Sequence, residues 1–410
     1  MTAQTTLEDW LTHIDGRNWQ TVDMGLDRII EMLERLNIQK PAPYVITVAG
    51  TNGKGSTCYA CEALLLAHGL TVGTAISPHI DRFNERIRVN GEEVADDVIV
   101  SAFEAVEVHR KTLPLTYFEY CVLASFWLFR QRNVDVAVLE IGLGGRLDGF
   151  NVVGADSAVI TSIDLDHQAI LGDDRETIGA EKAGIFRPGQ RIILAENMPG
   201  SVIDASKVGG EVIRFEQDMK VTTQDTVWTL EFGDTHLAGL PMTSLAQRNV
   251  ALACAAVADH VSLEENWVKQ ALAQLNIRGR LERRQWRDRT IILDVAHNPA
   301  GVAFLFEELQ QRGIEPTLIC CAMLRDKDHM GVYRKIRESF SGRWLFIDSH
   351  GDRGFSGTEL NKAMGSLGVT KQVQTIEHFL DSETSPADVI LGLGSFSLVE
   401  QLLIGVPERA

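Results

Sequence analysis

Apolar residues in this chain switch between two spacings, and the switching predicts a succession of strands and helices. Residues 45–48, Val-Ile-Thr-Val, form a short β-branched run of the kind that makes a strand buried on both faces. Residues 58–68 follow with the Ala and Leu content of a helix. The cycle recurs, with strands expected at 71–75, 134–141 and 157–163 and helices at 96–113 and 120–132. Ahead of the first strand, two amphipathic helices are expected at 7–14 and 24–36, the second carrying Leu26, Ile29, Ile30 and Leu33 on one face. Residues 190–245 read as strands and turns flanking the sheet, and an Ala-rich helix is expected at 247–260. From about Trp286 the cycle restarts, with strands at 290–293, 318–322, 344–347 and 389–392 separated by helices. Such alternation predicts parallel sheets and two α/β domains.

The turn after the first strand carries the sharpest chemical signal. Residues 50–56 read Gly-Thr-Asn-Gly-Lys-Gly-Ser, between a strand and a helix N-terminus. Successive backbone N–H groups there can cradle a phosphate, and the helix dipole favours its charge. Lys54 can reach the outer phosphates and Ser56 can ligate magnesium. The spacing departs from G-x-x-x-x-G-K-[ST]: Val48 stands at its first glycine, and Gly55 separates Lys54 from Ser56. The bland alternative is a glycine-rich strand-to-helix turn with no ligand. The expected fold class is α/β, with an N-terminal P-loop-type parallel-sheet ATPase domain at 1–282 and a smaller C-terminal Rossmann-like α/β domain at 286–410.

Charge and composition narrow the partners. Lys plus Arg is 39 and Asp plus Glu is 56, a formal charge of -17, which argues against nonspecific nucleic-acid or anionic-membrane binding. No apolar run approaches the roughly 18 residues of a membrane span, so a cytoplasmic protein is expected, with no membrane partner. The six cysteines show no secreted-type framework, and Cys58 and Cys61 fall inside a helix, where core packing is expected rather than redox chemistry.

Three further stretches have a reading of their own. Thr116 with Glu119 fits a capping box for the next helix. Glu140 ends a buried strand, where a carboxylate is costly unless it meets a cation. Gly142-Leu143-Gly144-Gly145-Arg146 lacks the third glycine of the dinucleotide fingerprint, so NAD binding is not expected.

The loop at 50–56, the G-x-G-G-R-x-D at 142–148, Glu181-Lys182-Ala183-Gly184 and Asp294-Val295-Ala296-His297-Asn298-Pro299 occur together and in order. In this the chain resembles the Mur ligase superfamily, and within it the folylpolyglutamate and dihydrofolate synthases. Only 49 residues precede Gly50, less than a further nucleotide-binding domain needs, which favours the folate branch. By this resemblance Thr51, Asn52, Gly53, Lys54, Gly55, Ser56, Asn249, Arg280 and Asp294 bind ATP. Ser56, Ser77, Glu140 and His167 hold two Mg2+ ions, and a carbamylated Lys182 turns a cation into a carboxylate-like ligand. Asp23 and Gly25, the aromatic pair Tyr117 and Phe118 with Thr116 and Glu119, and Leu147 with Asp148 serve the pterin-bearing substrate. Arg82, Glu85 and Arg86 match the family's R-x-x-E-R stretch. Gly149-Phe150-Asn151 stands where Ala-Thr-Asn is common, a departure from the pattern.

The resemblance implies a monomeric ligase that uses ATP to join L-glutamate to dihydropteroate and to tetrahydrofolate species through an acyl phosphate, with Lys54, Lys182 and His297 catalytic. Two alternatives are a superfamily ligase for another carboxylate and amino acid, and a non-catalytic nucleotide binder.

Overall fold

The β-branched run at the head of the pattern becomes strand β1 (Tyr44–Ala49), buried at every position after Tyr44. The structure is a computed structural model, and it describes residues 5–16, 25–208, 210–349, 354–365, 369–370, 384–385 and 388–405. The chain divides into two units, one of Met1–Thr243 and Gln247–Leu275, the other of Ser244–Ala246 and Asn276–Ala410.

In the first unit, α1 (Leu7–Asp15) and α2 (Asp27–Arg35) precede β1 and α3 (Lys54–Ala67). There follow β2 (Val72–Ala75), β3 (Ile87–Val89), β4 (Glu92–Glu93), α4 (Asp96–Arg110), α5 (Tyr117–Arg132), β5 (Val136–Glu140) and β6 (Ser157–Ile160). Then come α6 (Gln168–Leu171), α7 (Arg175–Ala183), β7 (Arg191–Leu194), α8 (Gly200–Ala205) and β8 (Val212–Arg214). The eight-stranded sheet runs β4-β3-β2-β5-β1-β6-β7-β8. Strands β2 to β8 other than β3 and β4 pair in parallel with β1 or with one another, while β3 and β4 add an antiparallel edge. Central parallel strands need cover on both faces, and their unbroken apolar composition follows from it. Val48 pairs with Glu140 and Ala49 with Ile160, so the C-terminal tips of β5, β1 and β6 lie side by side. Loops leaving such tips are where open α/β sheets bind ligands.

Residues 219–241 form a separate antiparallel sheet, β9 (Met219–Gln224), β10 (Val227–Phe232) and β11 (Thr235–Pro241). Its inward face alternates as a half-buried strand should, with Trp228, Leu230 and Phe232 buried. Helices α9 (Gln247–Val257) and α10 (Glu265–Ala273) complete the unit, and α9 packs along α3. All six cysteines are free and buried. Helix α5 starts at Tyr117, three residues earlier than the apolar pattern indicates, because Thr116 caps it.

The second unit contains β12 (Glu282–Trp286), β13 (Arg289–Leu293), α11 (Pro299–Gln311), β14 (Leu318–Cys321), α12 (His329–Ser339), β15 (Arg343–Phe346), α13 (Gly357–Ala363), β16 (Val369–Thr370), β17 (Val389–Leu393) and α14 (Phe396–Gly405). Its sheet order is β12-β13-β17-β14-β15-β16, parallel except for β12. Strand β12 escapes the apolar pattern because its inward residues are charged: Arg284 Nε donates to Glu282 Oε1 at 2.7 Å, and both side chains are buried. Residues 276–282 thus group with the second unit, although the sequence pattern assigns them to the first. Among the described residues no helix is long and apolar enough to cross a membrane.

Candidate active site

The glycine turn at 50–53 is held from the neighbouring strand. Thr51 N donates to Ser162 O at 2.8 Å, and Asn52 N to Ser162 Oγ at 2.9 Å. Thr161 Oγ1 donates to Asn52 O at 2.7 Å, and Asp164 N to Thr51 Oγ1 at 3.0 Å. This clasp explains Gly50: a Cβ there would lie 2.0 Å from Thr161 Oγ1, and its φ is 146°. Gly53, at φ 89°, opens α3, whose first residue is Lys54. Lys54 Nζ donates to Thr51 O at 3.2 Å, folding back over the turn. Ser56 is buried in the first helical turn. Asn249, on α9, lies against the turn, since a Cβ on Gly53 would stand 2.8 Å from Asn249 Oδ1. That oxygen is buried and has no hydrogen-bond partner among the described residues. An orphaned acceptor beside a phosphate cradle fits a ligand carrying N–H donors, as a nucleobase does.

At the adjacent tips, Glu140 is buried, and its Oε2 accepts from Ser77 N at 3.0 Å, which brings two of the expected metal residues together. The loop at 142–150 winds around Asp148. Its Oδ2 accepts from Gly142 N and Leu143 N, both at 3.0 Å, and its Oδ1 from Phe150 N at 2.9 Å. Burial pushes the Asp148 carboxyl up to about 6 despite these donors and the charge of Lys54. Asp148 therefore organises its own loop, with Leu147 partly buried beside it. Arg146 N donates to Glu181 O at 2.9 Å and ties the loop to the end of α7.

Lys182, on α7, is buried. Burial, reinforced by the positive charge of Lys54, brings its amine down to about 7, against the pull of Asp166, Asp148 and Glu181. His167 caps α6 with φ 51°, and its half-exposed side chain lies 4.0 Å from Asp166. Among the described residues no three His, Cys, Asp or Glu side chains converge to hold a metal by themselves. A magnesium ion here would draw its remaining ligands from hydroxyls, phosphate oxygens and water, the donors it prefers.

A second wall is built on α5. Glu119 Oε2 accepts from Thr116 N at 2.7 Å and Thr116 Oγ1 from Glu119 N at 3.2 Å, the expected capping box. Arg28 of α2 adds an ion pair, Nε to Glu119 Oε1 at 2.9 Å. Phe118 packs edge-on to Phe150, with ring centres 5.7 Å apart, and a Cβ on Gly142 would stand 2.7 Å from its Cζ. Tyr117 meets Phe83 edge-on at 6.2 Å. Beside them Arg86 Nε donates to His79 Nδ1 at 2.7 Å, and burial together with that guanidinium pushes the imidazole down to about 4. Gly25 lies just ahead of α2, and Asp23 lies outside the described residues.

The second unit holds its own group. Asp294 follows β13, and its carboxylate joins two loop segments, with Oδ2 accepting from Leu281 N at 3.0 Å and Oδ1 from Ala296 N at 2.9 Å. Burial raises the Asp294 carboxyl, outweighing the nearby Arg280. His297 Nδ1 lies 2.8 Å from Val295 O, so Nδ1 carries the proton. Arg280 stacks over Phe396 at 5.7 Å. Asn298 caps α11, accepting from Gly301 N at 2.8 Å.

Sequence reasoning missed Thr161, Ser162, Arg28 and His79. A Thr-Ser pair ending an apolar strand was the available signal for the clasp, whereas the Arg28–Glu119 pair joins residues 91 apart and has no local signature.

A glycine-turn cradle at the tips of a parallel sheet, in a chain that also carries a second α/β unit, is the architecture of a nucleotide-dependent ligase, and the chain belongs to the Mur ligase family. The Mur ligase middle domain matches residues 48–258 and the Mur ligase glutamate ligase domain residues 279–396. Within that family it is 38% identical to the dihydrofolate synthase/folylpolyglutamate synthase of Escherichia coli K12, over 99% of this chain and 97% of the relative. The E. coli FolC structure in complex with DHPP and ADP superposes with a TM-score of 0.92 at 35% identity, covering 98% of both chains. The Yersinia pestis bifunctional folylpolyglutamate synthase/dihydrofolate synthase complexed with AMPPNP and Mn gives 0.91 at 36% identity, covering 98% of this chain and 99% of that one.

Proposed function

We propose that the chain is an ATP-dependent ligase that adds L-glutamate to dihydropteroate, making dihydrofolate, and to reduced folates, extending their glutamate tails. The observation that carries this reading is the likeness to a named bifunctional enzyme along 99% of the chain. The clasped turn and the orphaned Asn249 Oδ1 support the nucleotide part independently.

A carboxylate resists attack by an amine at neutral pH. Transfer of the terminal phosphoryl group of ATP to it creates an acyl phosphate and releases ADP. The amine of glutamate then adds to the carbonyl, and collapse of the tetrahedral intermediate expels phosphate and leaves an amide. The backbone N–H groups of 51–55 and Lys54 bind the phosphates and offset charge on the transferring group. Asn249 Oδ1 accepts from the nucleobase, and Arg280 and Asp294 are the nucleotide residues of the second unit, with His297 a catalytic group beside them.

Two magnesium ions, when bound, supply electrophilic stabilisation of the phosphoryl oxygens. Ser56, Ser77 and Glu140 would hold one, and His167 with Lys182 the other. Lys182 fits that role as a carbamate: an amine brought down to about 7 is largely neutral at physiological pH, and the neutral form adds to carbon dioxide with loss of one proton. Gly25, Thr116, Tyr117, Phe118, Glu119, Leu147 and Asp148 are the residues we assign to the acceptor side, with Asp23 assigned there by the family resemblance alone. In this reading the first unit is the ATP-binding domain and the second unit the glutamate ligase domain. Steady-state phosphate release, measured with dihydropteroate and with tetrahydrofolate, each with and without glutamate, tests it. Glutamate-dependent release with both acceptors is expected, and its absence with both ends the proposal.

A further inference from the structure

Of the charged residues in the stretch 82–86, two have structural work. Arg82 pairs with Asp96 at 3.1 Å, and Glu85 accepts from the backbone N–H groups of Ile80, Asp81 and Arg82. Arg86 is different. Its guanidinium lies over two rings that meet edge-on, 5.9 Å from the centre of Phe83 and 5.6 Å from that of Tyr117. Its Nε donates to His79 Nδ1, an uncharged acceptor, at 2.7 Å. Among the described residues no carboxylate forms an ion pair with it. A partly buried cation without a counter-ion is costly, and in a chain of net charge -17 acidic partners are abundant. Ring faces attract a guanidinium but carry no countercharge, so the cation still lacks an anionic partner among the described residues. With Nε–H engaged, the two terminal nitrogens retain the fork that matches a carboxylate.

The position of this cation matters. Arg86 O accepts from Ile76 N at 3.0 Å, and the next residue, Ser77, donates its N–H to Glu140. The backbone of Arg86 thus stands at the tip of β2, one residue from the pair Ser77–Glu140, and its guanidinium lies against the ring of Tyr117. Dihydropteroate has a single carboxylate, the one that is phosphorylated. A folate ending in glutamate has a second, non-reacting α-carboxylate a few bonds from the reacting γ-carboxyl.

We propose that Arg86 binds this non-reacting α-carboxylate and is thereby a specificity residue for glutamyl-bearing acceptors over dihydropteroate. The proposal rests on the function given above. Its test is the KM of each acceptor, at saturating ATP and glutamate, in the full-length wild type, Arg86→Gln and Arg86→Lys. In Arg86→Gln the KM for tetrahydrofolate should rise about tenfold or more beyond any rise for dihydropteroate, the size expected for losing a charged hydrogen-bond donor. Arg86→Lys, which keeps the charge without the fork, should recover part of that loss. Dihydropteroate turnover in the same preparation reports on folding. An equal rise for both acceptors in both variants, or no rise for tetrahydrofolate, overturns the role of Arg86. A wild type that turns over neither acceptor overturns the proposed function itself and this residue's role with it.

Discussion

The two walls of the site in the first unit are held by different means. The nucleotide wall is backbone: residues 50–53 are gripped by the hydroxyls and main chain of 161–164, and only Gly50 allows the approach. The wall proposed for the acceptor is side chain: a capping box, the Arg28–Glu119 ion pair and the rings of Phe83 and Tyr117 beside Arg86. A phosphate presents the same face whatever it is attached to, so a backbone cradle suffices. An acceptor must be told apart from its analogues, and that needs side chains whose shape and charge can vary.

Breaking the nucleotide wall should have the largest effect. Lys54→Ala should lower ligation by at least about 100-fold, the scale of losing a key electrostatic group in a preorganised site, as read from kcat with either acceptor. Near-normal turnover would show that the turn does not serve the phosphates.

Lys182, between the walls, should give the next largest effect, through pH. Its amine is lowered from 10.5 to about 7, so the neutral, carbamate-forming state is favoured above pH 7 and lost below it. Activity should therefore fall as pH drops through about 7, approaching tenfold per unit, and added bicarbonate should partly restore it near pH 6. In folding, the protonated amine is the disfavoured state, so this group's destabilising contribution is present below about pH 7 and fades as pH rises toward 10.5. A flat activity profile from pH 6 to 8 would separate Lys182 from the chemistry.

The smallest effect should come from the acceptor wall's brace. Arg28→Gln leaves the buried Glu119 carboxylate short of a charged partner and should cost about 1–3 kcal/mol in denaturant unfolding, with nucleotide affinity unchanged. A matching loss of nucleotide affinity would mean that the walls are not separable.

This difference also decides what could be read from the sequence. The nucleotide wall was legible because its strand, turn and helix are consecutive, and the buried strand tip of Glu140 has a local cost argument of its own. Asp148 was legible as important but not for the task it performs in the fold, though its hydrogen bond to Phe150 N, two residues on, is a local Asx feature. The clasp at 161–164 joins residues about a hundred positions apart, and Arg28–Glu119 and Arg86–Tyr117 arise only once helices and strand tips meet. Strand β12 was missed for a separate reason: its inward positions hold an ion pair where the pattern looks for apolar residues.

The clasp has a consequence for synthesis on the ribosome. The glycine turn emerges early, but Thr161 and Ser162, which set its shape, are made about 110 residues later. A nascent chain stalled near residue 150 carries every residue of the phosphate signature and should still have little grip on ATP, so nucleotide cannot template this unit until β6 has left the exit tunnel and docked.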